Sequence, residues 1–269
     1  MNDEEMLSGE LQLEIGGERF DLELTIPATP VKPQRMLPVL QQLTGEIVAR
    51  GVERVNESGK AISCKAACGA CCRQPLLISE AEAFDLAELV ESMPLDRRRI
   101  IKDRFRAGRE HFASIGWYDR FDGLSERAKD GKTDELGREF VAVLQDYIKE
   151  RVACPFLENE SCSIYEDRPL VCREYLVTSP AENCANPRPD NTEKIQLSGS
   201  PSKAFASLVK TPDSAKPSEL LLIRLLEFAE LHTDKYIERS GPEWMDGFFQ
   251  RLTNRDKPGL PDRSAETPG

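Results

Sequence analysis

The stretch CKAACGACC, Cys64 to Cys72, and its distant counterpart CPFLENESCSIYEDRPLVC, Cys154 to Cys172, decide how this chain is read. With Cys184 in PAENC they contain all eight cysteines, as two groups of four separated by the cysteine-free residues 73–153. One tight loop and one long return are how a structural or redox metal site is assembled from thiols. In C-x3-C-x2-C the turn lets three thiolates converge, and Gly69 with the small residues Ala66, Ala67 and Ala70 admits backbone close to a metal or to inorganic sulfide. Cys72 stands apart, because adjacent residues of an extended chain point to opposite sides and Cys71 and Cys72 do not easily bind one ion. The spacing therefore predicts two centres, or one centre with a spare thiol beside it.

Compartment decides what eight cysteines mean. The 269 residues bury a core large enough to fold without disulfide staples. MNDEEMLSGE at the N-terminus has neither the basic nor the apolar region of a secretory signal, and no run of about 18 apolar residues could span a bilayer. The expectation is a cytoplasmic protein, where clustered cysteines are metal ligands or catalytic thiols rather than lasting disulfides. Against 47 Asp+Glu stand 36 Lys+Arg, a formal net charge of −11. Such a surface repels nucleic acid and anionic lipid. The partner expected is a protein of unspecified identity, with no nucleic acid and no membrane.

Working outward, Leu11, Leu13 and Ile15 alternate with polar residues, Gly16-Gly17 follows, and Phe20, Leu22, Leu24 and Ile26 alternate again. This is a two-residue hairpin that sets Leu13 opposite Phe20 and Leu11 opposite Leu22, with one apolar face. An isolated ribbon is marginal in water, so that face is expected to cover helices of the main domain. Pro27, Pro30 and Pro33 stiffen the connector that follows. Apolar residues at spacings of three and four predict a helix over about 38–56. Ser79 and Glu82 form a capping box for the next, which Pro94 ends. Ile101, Phe105, Phe112 and Ile115 mark another, whose opposite face carries Arg97, Arg98, Arg99, Lys102, Arg104, Arg106 and Arg109 interleaved with acids, as on a solvated helix face. Residues 123–132 read as a polar break, and Leu136 to Ile148 as an amphipathic helix leading to Cys154. SELLLIRLLEFAELHTDKYIERS, residues 218–240, reads as one strongly apolar helix, and a shorter aromatic segment follows. His111 and His232 lie far from both cysteine groups and are expected to be structural.

The second group carries further chemistry. Pro155 after Cys154 removes a backbone donor, as at the end of the bacterial ferredoxin ligand run. Arg168 and Arg173 put guanidinium groups beside thiolates, where they lower thiol pKa and offset the charge of a tetrathiolate site; surface pairing with Glu166, Asp167 or Glu174 is the alternative. CxxxCxxCC, then CPFL, then CSIYEDRPLVCREY together resemble the YkgJ-type cysteine-cluster family, a domain regarded as zinc- or iron-chelating. The resemblance spans Cys64 to Tyr175 and implies metal or iron-sulfur binding by Cys64, Cys68, Cys71, Cys72, Cys154, Cys162 and Cys172. Cys184 joins them by proximity and parity alone.

The expected cofactor is one or two iron-sulfur clusters, 4Fe-4S first, because every ligand is a thiol and the spacings are short. Structural zinc is the alternative, in a protein with no redox role or in an adaptor. An enzyme related to the flagellin lysine-N-methylases, which contain a similar cluster, is a further alternative. C-x3-C-x2-C is also the radical S-adenosylmethionine spacing, but Ala70 stands where an aromatic is usual and no barrel pattern is present. No catalytic residue can be named, since nucleotide-binding, nucleophile-elbow and zinc-protease motifs are all absent.

The fold expected is mainly α with a small β-hairpin, a helical scaffold carrying irregular cysteine-rich metal-binding loops. Residues 1–33 form the hairpin and proline-rich connector, 34–190 the cysteine-cluster domain, 191–253 a C-terminal helical extension and 254–269 a disordered tail.

Overall fold

Period-two apolar alternation about Gly16-Gly17 gives β1 (Met6–Ile15) and β2 (Glu18–Pro27), antiparallel, with Leu13 opposite Phe20 and Leu11 opposite Leu22. Both glycines have positive φ, 57° and 82°, the conformation a two-residue turn of this hand requires. Gly16 also lies against residue 198, where a Cβ would meet the Ser198 carbonyl oxygen at 2.3 Å. Residues 5–128, 131, 133–209 and 219–253 are described by this computed structural model. The tail expected over 254–269 lies outside them.

The apolar face of the hairpin does cover helices. Ile15, Phe20, Leu22 and Leu24 are buried in one core with α1 (Leu37–Glu57), α7 (Pro201–Leu208) and α9 (Gly241–Leu252). α1 buries Leu37, Leu40, Leu43, Thr44, Ile47 and Gly51, the stripe its spacing predicts. The Pro-rich connector is clasped from the far end of the chain, for Val31 and Arg239 exchange backbone hydrogen bonds of 2.8 and 3.0 Å. Trp244 Nε1 donates to the Val31 carbonyl at 2.9 Å.

Two further cores complete the scaffold. Ser79 caps α2 (Glu80–Ser92) through the expected box, directly after the short strand β3 (Leu77–Ser79). α3 (Leu95–Ser114) packs Ile101 and Phe105 into the core of α2 and Phe112 into that of α4 (Trp117–Arg127) and α5 (Asp134–Lys149). Its basic face is paired across elements as well as along the helix. Arg97 and Arg104 reach Glu158 at 2.6 and 3.0 Å, Arg98 and Lys102 share Glu91, and Arg109 meets Glu227 at 2.7 Å.

The structure corrects two expectations. The polar break at 123–132 begins later, because α4 runs through Gly123 to Arg127. Trp117, Phe121 and Leu124 supply a buried stripe, and Trp117 Nε1 donates to the Val143 carbonyl at 2.8 Å. That stripe outweighs the roughly 1 kcal/mol that an exposed helical glycine costs. The long helix over 218–240 is broken into β6 (Glu219–Leu221), a 3-10 turn (Leu222–Arg224) and α8 (Leu225–Leu231), with no helix over 232–240. β6 pairs antiparallel with β3, Leu77 opposite Leu221. Leu222 and Leu225 enter one core, Leu221 and Ile223 another. Consecutive apolar residues serving two different cores are met by changing from strand to 3-10 turn to helix, whereas the stripe of one helix could bury only part of them.

Of the second cysteine group, Cys154 precedes β4 (Leu157–Glu158), Cys162 ends β5 (Ser161–Cys162), Cys172 lies in α6 (Leu170–Glu174) and Cys184 lies beyond it. Leu170 belongs to the hairpin core and Val171 to the α2 core, so α6 lies at the seam between them. No helix among the described residues is long and apolar enough to cross a membrane.

Candidate metal centre

The first loop is pinned before its first thiol. Ser63 donates through its amide to the Val177 carbonyl at 2.9 Å and through its hydroxyl to the Thr178 carbonyl at 3.0 Å. Ala67 then takes a left-handed conformation, φ 57°, which turns the chain between Cys64 and Cys68. A 3-10 turn, Ala70–Arg73, carries Cys71 and Cys72.

The second loop is bonded directly to the first, since the Cys154 amide donates to the Cys72 carbonyl at 2.7 Å. β4 and β5 reverse through Asn159 and Glu160, both at positive φ. Glu160 in turn holds Arg73 by two bonds of 2.6 and 3.0 Å, while Arg73 also donates to the Gly69 carbonyl at 2.9 Å. A Cβ on Gly69 would lie 2.7 Å from both Leu157 Cδ1 and Glu160 Oε2. The close approach that Gly69 permits is thus to the β4–β5 hairpin.

Cys172 and Cys184 are held by polar groups whose long-range partners the sequence did not reveal. Glu82, fully buried, accepts from the Ser79 amide (2.9 Å), the Ser79 hydroxyl (2.7 Å) and the Leu170 amide (2.9 Å), tying α2 to the start of the helix that bears Cys172. Glu174 ends that helix and accepts from the Ser202 amide and from the hydroxyls of Ser200 and Ser202. Cys184 is buried in a 3-10 turn, Ala181–Ala185. The Tyr175 hydroxyl lies 3.8 Å from its sulfur, and the Gln74 amide donates to the Cys184 carbonyl at 2.8 Å and to Tyr175 at 3.2 Å. Lys194 sits 4.6 Å over the Tyr175 ring. Tyr175 was visible in CREY, but its partners lie too far along the chain for spacing to reveal them.

All eight cysteines are free. Burial pushes the thiols of Cys64, Cys162 and Cys184 up, and that of Cys154 up to about 12. Cys172 is pushed well above the ordinary range by burial and then by Cys154, Cys162 and Cys71. Cys71 is raised first by its hydrogen bond with Cys72 and then by burial. Opposing this, backbone hydrogen bonds from Val177, Phe156 and Ile164 favour the thiolates of Cys64, Cys154 and Cys162. Arg168 acts on Cys71 and Cys162, and Arg173 on Cys162, in the same sense. Arg168 stacks 4.0 Å over Tyr165, and Arg173 donates to the carbonyls of Arg168 and Glu166. Among the described residues neither forms an ion pair with Glu166, Asp167 or Glu174. His111 bonds Glu150 at 2.7 Å and His232 stacks on Phe228.

Among the described residues no three His, Cys, Asp or Glu side chains are drawn together closely enough to hold an ion as they stand. The donor set nevertheless fits a thiophilic metal. All eight sulfurs are unpaired, and burial of Cys64, Cys154, Cys162, Cys172 and Cys184 disfavours their thiolates unless a cation accompanies them. Hydrogen-bond donors to three of the sulfurs are already in place.

Residues 63–196, about half of the chain, match the model of the CxxCxxCC family, described as "Putative zinc- or iron-chelating domain". The name writes two residues in its first gap; here Lys65, Ala66 and Ala67 fill it, and the left-handed Ala67 accommodates the third. The hairpin β1–β2 and the helices α7 to α9 lie outside the matched residues. No curated protein and no solved structure matches the chain.

Proposed function

From a chain that belongs, through residues 63–196, to the CxxCxxCC family of zinc- or iron-chelating domains, we propose a protein that holds one or two iron-sulfur clusters through thiolates. The ligands proposed are Cys64, Cys68, Cys71, Cys72, Cys154, Cys162, Cys172 and Cys184, with 4Fe-4S the first form of cluster. The observation that supports it is eight free thiols on two segments joined by the Cys154 to Cys72 backbone bond, with the Tyr175 hydroxyl 3.8 Å from the Cys184 sulfur. A bound cluster would supply a one-electron couple and a strong local charge.

The chain's own residues set the surroundings of that charge. The backbone donors of residues 156, 164 and 177 favour anionic sulfur, and Arg168 and Arg173 offset its charge near Cys162. Cys184 is 3% exposed, which keeps water from its sulfur. Structural zinc is the second reading, favoured by the family's description and by thiol-only ligation, which zinc accepts equally well. Anaerobic isolation followed by iron, zinc and acid-labile sulfide analysis tests the choice. Iron with sulfide and a brown absorption band is the expected result; a colourless protein with stoichiometric zinc and no sulfide establishes the second reading instead.

A further inference from the structure

The outer side of β1 is a strand edge with no neighbouring strand among the described residues. Both glycines of the Gly16-Gly17 turn have positive φ, so Ile15 and Glu18 close the ladder as a hydrogen-bonded pair. Antiparallel pairs alternate from there. Leu13, Leu11, Gly9 and Leu7 therefore bond to β2, whereas the backbone N–H and C=O groups of Ser8, Glu10, Gln12 and Glu14 point outward. The outer edge of β2 is different, since it lies against α1, where Gln42 Nε2 donates to the Glu23 carbonyl at 3.3 Å. Among the described residues nothing bonds the outward backbone groups of Ser8 to Glu14. An unpaired edge of this length is a template for one more strand.

The two faces of the ribbon specify that strand. On the solvent face stand Glu10, Gln12 and Glu14, with Asp21 and Glu23 beside them on β2. Arg19 is turned to Asp21 at 3.4 Å, and Glu10 lies directly opposite Glu23, an unfavourable pair of like charges. Among the described residues Glu10, Glu14 and Glu23 form no ion pair. On the other face Leu7 is 46% exposed, Leu11 is partly buried, and a Cβ on Gly9 between them would meet nothing within 4 Å. A glycine inside a strand, with open space beside it, marks a place where another chain can come close. The same charges disfavour a second copy of this chain, because pairing β1 with itself gathers Glu10 and Glu14 of both molecules, each of net charge −11, on one sheet face. We propose that the free edge of β1 binds an extended segment of a partner protein in which Lys or Arg alternates with apolar residues, as a third strand of the hairpin. Its basic side chains face Glu10, Glu14 and Glu23, and its apolar ones cover the notch at Gly9. The surface lies outside the family-matched residues 63–196, so the proposal stands apart from the metal reading.

A fluorescent seven-residue peptide alternating lysine and valine, added to the full chain and followed by anisotropy, tests this. It should bind at least about tenfold tighter than a copy N-methylated throughout, which keeps the charge and loses every backbone donor. A glutamate–valine counterpart should not bind the wild type. Gln12→Pro removes one outward donor and spares the β1–β2 ladder, and is expected to weaken binding about tenfold. The double variant Glu10→Lys/Glu14→Lys should exchange the preference for the glutamate–valine peptide. Melting curves show whether each variant folds, and if Gln12→Pro does not, the N-methylated copy decides. Equal binding of that copy, undiminished binding by folded Gln12→Pro, or no binding by the wild type overturns the proposal. So does a wild-type dimer in sedimentation that Gln12→Pro dissociates, which would give the edge to a second copy.

Discussion

Glu82 is a single buried carboxylate with three protein donors. Its capping of α2 was legible from S-x-x-E, but its bond to the Leu170 amide was not, because Leu170 is remote in sequence. Glu82→Ala strands two buried amides and a hydroxyl, and a loss of about 2–4 kcal/mol is expected in urea unfolding. Retention of full stability would show that α6 is held by other contacts. On the next turn of the same helix, Asp85 is pushed up to about 6, first by burial and then by Glu88, Asp167 and Glu82. A carboxyl raised on folding contributes stability that is complete below its unfolded value of 3.8 and is lost as pH rises through about 6. Asp85→Asn should therefore flatten the fall in stability across that window and raise stability at neutral pH by about 1 kcal/mol, allowing for partial solvent screening. Thermal unfolding across pH 4 to 7 reads both effects. Gly69 shows the opposite kind of legibility: its need for a small side chain was plain from the loop, but the atoms it approaches belong to residues 157 and 160.

Among the elements, the hairpin was legible to its register, because a period of two and a glycine pair fix both the face and the turn. Leu22 lies in the core with α1 and α9 while Leu7 is 46% exposed. Leu22→Ala is expected to cost about 2–4 kcal/mol, and Leu7→Ala to stay within about 0.5 kcal/mol. Equal small effects in chemical denaturation would mean that the hairpin contributes little to the fold. The segment 218–240 was misread because a short apolar run looks alike in a buried helix and a strand. What separates them is that β3 offers its edge and two cores flank the run, neither of which is local information. α4 was missed for a similar reason: Gly123 signals a break locally, but the stripe of Trp117, Phe121 and Leu124 overrides it.

At the scale of the whole molecule, the three cores among the described residues leave the thiols on short turns, on β5 and on α6, and long-range bonds tie these segments together. Seven of the eight candidate ligands were legible from the cysteine motifs and the resemblance they carry, and Cys184 from proximity and parity alone. The backbone bonds that join residues 63 with 177 and 72 with 154 were not, because these partners lie far apart in sequence. Metal that bridges these loops stabilises the folded chain over the unfolded one. Chelation under reducing conditions should lower the melting temperature by several degrees, with recovery on re-addition, since about 1 kcal/mol moves a chain of this size by roughly 2–4 °C. An unchanged melting curve would mean that the loops hold without metal.

X-ray absorption at the edge of whichever metal copurifies reads the ligand shell directly. The account requires a shell of sulfur alone, at about 2.3 Å for thiolates on zinc and accompanied by short metal-metal scattering if the metal is a clustered iron. A first shell dominated by nitrogen or oxygen would contradict it.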